Sequence, residues 1–192
     1  MKKGFTIIEV SILFIIFLIV AFLVAPLSID DTVQAKHTSK WRSVQQEFSN
    51  IFHTIRTAQN DTDETFKDVV ESIINKEVQN SIIPYNIKLM NGSKVPDKFV
   101  FDEYKETFSK ATIAVKFYDT DNDGIKGLVL YDVNGKTKPN TWGKDVFALN
   151  IYEDRFEPLG KTEPIASQRQ DCSKNGTGVY CSNFYLIGGN FD

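Results

Sequence analysis

From Phe5 to Ala25 the chain reads FTIIEVSILFIIFLIVAFLVA, 21 residues that are apolar on every side and carry one charge, Glu9. At about 1.5 Å of rise per helical residue, a run of this length spans roughly 30 Å, the thickness of a bilayer hydrocarbon core. The pattern predicts a membrane helix. Further on the apolar positions thin to a stripe, with Trp41, Val44, Phe48, Ile51 and Ile55 at intervals of 3, 4, 3 and 4. That is one face of an amphipathic helix. One long helix in two parts is therefore expected, apolar over 5–29 and amphipathic over 30–57. Pro26 stands near the outer end of the first part; it lacks an N–H and crowds the carbonyl of Phe22, so a kink or loosening is expected there.

The polar stretch Ala58–Asp63 is turn-prone, and Asp61 or Asp63 is placed to cap a second helix whose face is Phe66, Val69, Val70, Ile73 and Ile74. That helix is expected to end near Asn80. From Tyr85 the period changes to two, with turn residues between the runs. Strands are predicted at Tyr85–Met90, around Phe99–Phe101, and at Thr112–Tyr118, Gly127–Asp132, Asp145–Tyr152 and Arg155–Leu159, with a turn at Asn91–Ser93. The expected fold is α+β: a long N-terminal helix packed on an antiparallel sheet, with the head over 58–192.

Length and composition fit that picture. The chain has 192 residues, 42% of them apolar, 12% aromatic and 24% charged, enough to fill one core and unlike a disordered or collagen-like chain. A net charge of −3 is mild and of the wrong sign for gripping nucleic acid phosphates. Two Cys and two His are too few for a structural zinc framework.

Lys2 and Lys3 precede the apolar run and Asp30 and Asp31 follow it, which places the N-terminus in the cytoplasm and the remainder outside. Setting aside Lys2, Lys3 and Glu9 leaves 20 basic against 24 acidic residues, or −4, on the exported part. A cleaved secretory signal is the competing reading. Its apolar region is typically about 7–15 residues and ends in a small-x-small site, whereas this run is longer, holds a carboxylate and ends in Ala25-Pro26-Leu27. An ionisable side chain in an apolar helix is costly and points to function; the plainer reading of Glu9 is snorkelling at the cytoplasmic edge.

Met1-Lys2-Lys3-Gly4 followed by Phe5-Thr6-Ile7-Ile8-Glu9-Val10 resembles the prepilin signal of type IV pilins and type II secretion pseudopilins: a short basic leader ending in Gly, then Phe, Thr, two aliphatics and Glu, then the apolar helix. The resemblance implies a leader over 1–4, cleavage between Gly4 and Phe5 by a prepilin peptidase, and N-methylation of Phe5. It implies that Glu9 pairs with the N-terminal amine of an adjacent subunit during assembly. Pro26 also matches the family, whose members carry a proline near the outer end of this helix. The mid-segment glycine of many members is absent, Leu18 being its approximate equivalent.

Cys172 and Cys181 bracket a short polar loop, and in an exported chain they are expected to form a disulfide. Pilins have a similarly placed disulfide-closed C-terminal element. Asp119, Asp121 and Asp123, followed by Gly124, form a candidate calcium loop of the D-x-D-x-D-G type, but Leu130 stands where the closing Glu belongs. The alternative is a polar β-turn. Asp132-Val133-Asn134-Gly135, Pro139-Asn140 and Gly143–Phe147 loosely resemble a segment of some pilin-like proteins, and are otherwise read as an ordered loop. His37 and His53 are read as solvated or half-buried helix histidines. No nucleophile motif and no phosphate-binding glycine loop is present, so no enzyme is expected.

The expected function is a structural subunit, in precursor form, of a type IV pilus-like filament. The partners are copies of itself and other pilin-like subunits, the prepilin peptidase and an inner-membrane assembly platform. The precursor would sit in a bacterial inner membrane with its head outside, and the filament in the periplasm or on the cell surface. A type II secretion pseudopilin and a membrane-anchored binding protein that never polymerises are the alternatives.

Overall fold

The computed structural model describes residues 15, 16, 19, 32–50, 66–122 and 124–190, and the chain divides into Met1–Lys36 and His37–Asp192. In the first unit Ile15, Ile16 and Ile19 are helical and exposed. Among the described residues no helix is long and apolar enough to cross a membrane. The rest of the expected span, with Gly4, Phe5, Glu9 and Pro26, lies outside them.

The second unit is α+β. A helix over 32–50 (α1) enters it at His37, and α2 (Phe66–Glu77) follows. Six strands form one antiparallel sheet in sequence order: β1 (Val78–Ile82), β2 (Lys105–Thr107), β3 (Thr112–Asn122), β4 (Ile125–Asp132), β5 (Val146–Tyr152) and β6 (Phe156–Pro158). Each strand pairs with its neighbour in the chain, so short turns suffice for every connection except β1–β2 and β4–β5. Two short helices, α3 (Ile165–Asp171) and α4 (Cys181–Phe184), close the chain.

The alternation that marks β3 to β5 in the sequence sorts two cores. On one face Ile113, Val129, Phe147, Leu149 and Ile151 pack with Trp41, Val44 and Phe48 of α1 and with Val70 and Ile74 of α2. Antiparallel partners keep this face continuous, as Val115↔Val129 and Val129↔Leu149 do. On the other face Ala114, Leu128, Leu130, Val146 and Ala148 meet Ile87, Leu89, Phe99, Phe101 and Trp142. Both faces of β4 and β5 are therefore covered, which is why these strands are almost continuously apolar.

Some expected elements differ. The second helix stops at Glu77 and not near Asn80, because Val78 leaves it to pair with Thr107 of β2. Tyr85–Met90 is no sheet strand. Its alternation is real, with Ile87 and Leu89 buried, but its backbone pairs with the loop before β5 through Lys88 N–H to Asn140 O and Trp142 N–H to Lys88 O. Around Phe99 the chain forms a short 3-10 turn, Asp97–Phe99, entered from Pro96. The ring of Phe99 lies 5.2 Å from that of Trp142, and this packing fixes the segment as cover and not as a strand.

Candidate functional site

The helix grips the head through one row of side chains. Trp41 is fully buried, stacks on Phe147 with ring centres 4.9 Å apart, and donates from Nε1 to Ser182 O at 2.7 Å. Around it Lys40 Nζ donates to Val133 O at 2.7 Å, and Arg42 Nη2 donates to Tyr185 O at 2.8 Å. His37 Nδ1 lies 3.2 Å from Lys144 O. A charge at the end of a long stem can thus cover apolar surface and still bond a carbonyl.

Two of those carbonyls belong to the loop from Asp132 to Asp145, which joins β4 to β5. At its start Asp132 Oδ1 accepts the N–H groups of Asn134 and Gly135, both at 2.9 Å, and Oδ2 accepts the Tyr85 hydroxyl. Gly135 has φ +67°, and a Cβ there would stand 2.0 Å from Lys110 O, so no other residue fits. At the loop's end Asp145 Oδ1 accepts Thr141 N–H at 2.7 Å and Oδ2 accepts Asn140 N–H at 2.8 Å. Val133 N–H donates to Asp145 O, tying the two ends together.

Both carboxyls are completely buried. Burial, and then the charge of Asp145, push Asp132 up to about 7. Burial also raises Asp145, against the N–H groups of Thr141 and Asn140, the charge of His37 and a hydrogen bond from the Asn134 side chain. Desolvation first, and the Asp132 charge next, drive the Tyr85 phenol far above its usual range. The result is a buried loop in which the charge of Asp145 weighs on Asp132.

Cys172 and Cys181 form a disulfide, Cα to Cα 5.3 Å, joining the end of α3 to the start of α4. The loop it closes is organised by Asp171, whose Oδ1 accepts Thr177 N–H at 2.9 Å and Oδ2 accepts Tyr180 N–H at 2.8 Å. It also abuts the Asp132–Asp145 loop: a Cβ on Gly143 (φ +77°) would lie 2.7 Å from Cys181 Sγ. With a separation of 9 residues, the chain-entropy model gives about 2.5 kcal/mol of stabilisation. Unfolded without reductant, the chain should take up no thiol reagent, and after reduction two equivalents. Reduction should lower the melting temperature by about 5–10 °C. Labelling before reduction would refute the bridge.

Asp119 and Asp121 fall within β3, while Asp123 lies outside the described residues, as does His53. The pairing Asn122↔Ile125 leaves two residues to turn between β3 and β4, and Gly124 takes φ +76° there. This hairpin geometry suits turn-forming Asp, Asn and Gly. The spacing of Trp41, Val44 and Phe48 announces the apolar part of the helix grip, while the bonds of Lys40 and Arg42 to head carbonyls leave no signal in the sequence. The carboxyl pair was not legible, because Asp132–Gly135 and Gly143–Phe147 read as parts of an ordered loop. Comparison with family models, with curated proteins and with solved structures finds no match.

Proposed function

We propose that the chain is the precursor of a subunit of a type IV pilus-like filament, processed by a prepilin peptidase and polymerised through its N-terminal helix. The observation that carries this reading is the sequence Lys2-Lys3-Gly4 directly before Phe5-Thr6-Ile7-Ile8-Glu9 and an apolar run of membrane-spanning length. The head supports it: a helix whose Trp41, Val44 and Phe48 are seated on an antiparallel sheet suits a subunit of this kind. The disulfide-closed C-terminal segment favours a surface filament over a secretion pseudopilus, since it stiffens an element placed for the outside.

The mature protein isolated from native membranes should begin at N-methylated Phe5, four residues short of the gene product. Gly4→Trp should leave the leader attached, because a bulky side chain blocks the cut. N-terminal sequencing and intact mass decide it. Full-length chain recovered in the presence of the peptidase would overturn the reading in favour of a membrane-anchored protein that does not polymerise.

A further inference from the structure

We propose that the β2–β3 turn and the β4–β5 loop form a docking surface for an anionic phospholipid bilayer, with Phe108 as its apolar point and Lys88, Lys110, Lys136 and Lys138 as its cationic rim. The inference rests on the reading of residues 5–25 as a membrane span and needs no filament.

Printed contacts of the backbone and side chains bring these groups together. Lys110 and Lys136 both reach Glu106, at 3.7 and 3.1 Å. Gly135 packs so closely on Lys110 O that a Cβ there would stand 2.0 Å from it. Further along the loop Asn140 O accepts Lys88 N–H at 3.0 Å, two residues after Lys138. From α1, Lys40 Nζ bonds Val133 O. All five lysines are exposed. The acids beside them offset this little at the surface: Glu106 is half-buried, and Asp132 and Asp145 have no exposed surface. Ion pairs to exposed lysines are weak and leave the ammonium groups available. A cationic surface thus stands on a chain whose exported part is acidic overall.

Phe108 is a second observation, independent of the charges. Its side chain is 65% exposed. A lone exposed apolar residue is ordinary, but this one rides on a turn that is already ordered. Thr107 N–H donates to Ala111 O at 2.9 Å, Lys110 N–H to Thr107 O at 3.0 Å, and Ala111 N–H to Thr107 Oγ1 at 3.1 Å. Docking the ring therefore costs little further ordering of the backbone. An apolar ring beside lysines suits a headgroup layer, where the ring enters the acyl boundary and the ammonium groups meet phosphates.

Two features favour a bilayer over nucleic acid. The rim is built of lysines and not of arginines, so it offers point charges to a diffuse field of phosphates and no planar fork for a single phosphate or base. A bilayer is also near along the chain, since His37, whose Nδ1 lies 3.2 Å from Lys144 O of the loop, stands twelve residues after Ala25. So short a tether gives even a weakly attractive surface a high effective concentration.

The test places the full chain in nanodiscs of phosphatidylcholine, with or without phosphatidylglycerol, and follows an environment-sensitive dye on Ser109→Cys. The native cysteines are joined to each other and take no dye. Recovery of the chain with neutral discs reads the span, while the dye reads the docking surface. Emission should move to the blue in anionic discs and not in neutral ones, and the shift should fade at about 1 M salt, where charges are screened within about 3 Å. Lys136→Ala and Lys138→Ala should each weaken docking about fivefold, and the double variant about 25-fold, read from the phosphatidylglycerol content that gives half the shift. Phe108→Ser should weaken it as well. Lys67→Ala, beside Phe117 toward the other end of β3 from Lys110, should change nothing. Chain captured by anionic discs and not by neutral ones would overturn the span and keep this surface. Equal emission in both discs from inserted chain would overturn the proposal and keep the span. A shift unchanged in the double variant would also overturn it. So would a shift produced in neutral discs by a single-stranded oligonucleotide but not by phosphatidylglycerol, which would assign the surface to nucleic acid.

Discussion

Glu9→Leu protein should be cleaved after Gly4, accumulate in the inner membrane with a folded head, and yield few or no filaments when it is the only subunit of its kind. Glu9 is the one charge in a run of 21 residues. A carboxylate at the centre of a membrane helix costs about 2.5–3.5 kcal/mol on insertion scales and less toward the edge, where Glu9 stands, so replacing it by leucine favours insertion by less than that. What the substitution removes is a partner for the amine that cleavage creates on Phe5. Glu9 lies four residues along from that amine, about one helical turn, so it can partly satisfy its own chain's amine or reach a neighbour's when the helices are staggered. An ammonium and a carboxylate in an apolar bundle each lose hydration that pairing offsets, so on the proposed reading the pair would fix axial register as a subunit enters. Co-expression with the unaltered chain should partly restore filaments. Filament yield by electron microscopy, set against membrane-fraction abundance, is the measurement. A normal yield from Glu9→Leu alone would show that the carboxylate is no register device.

The parts of the head that the sequence makes legible are those where local pattern and tertiary partner agree. Thr112–Tyr118, Gly127–Asp132 and Asp145–Tyr152 alternate clearly and are bounded by Asp, Asn and Gly, and they became the three central strands. The stripe at Trp41, Val44 and Phe48 faces the sheet as its spacing requires. Elements that exist only through a partner were not legible. Lys105–Thr107 is three residues long and is a strand because Lys105 finds Ile113 and Val78 finds Thr107. The two C-terminal helices are short and held by Asp171, Gln168 and the disulfide, which no periodicity announces.

The buried carboxyl pair of the β4–β5 loop fails to read in the sequence for a related reason. Asp119–Gly124 and Asp132–Gly135 use the same residue types, and as letters the first matches a calcium loop better. The difference lies in what the fold brings to them. Tyr85, Thr112 and Asp145 arrive at Asp132 from 47 residues before it, across the β3–β4 ladder, and from the far end of its own loop. Burial then pushes an ordinary loop carboxylate above its usual range. The proposed assembly reading runs the other way, since the roles it gives Gly4, Phe5 and Glu9 rest on a linear pattern of residues and need no fold to be seen.

Trp41→Ala should be the most destabilising single change in the described helix, because it acts at the centre of the grip between α1 and the sheet. Trp41 has no exposed surface, stacks on Phe147 at an interplanar angle of 17°, and bonds Ser182 O. Truncating a buried tryptophan to alanine costs about 3–5 kcal/mol through lost burial and the cavity left behind. The orphaned Ser182 carbonyl pushes the figure toward the upper end. At roughly 2–4 °C per kcal/mol for a chain of this size, the melting temperature should fall by about 10 °C or more. Trp41→Phe keeps the ring stack and loses the hydrogen bond, so about 1–2 kcal/mol is expected. Glu47→Ala, on the exposed face of the same helix, should stay within about 0.5 kcal/mol. Denaturant unfolding of the full chain in detergent gives all three values. On the proposed filament reading the consequence is mechanical, since α1 is seated on the sheet through this residue. Trp41→Ala filaments, if they form, should therefore shed heads to protease that leaves the parent filament intact. A loss below about 1 kcal/mol for Trp41→Ala would mean that α1 is held by Lys40, Arg42 and Phe48 without its tryptophan.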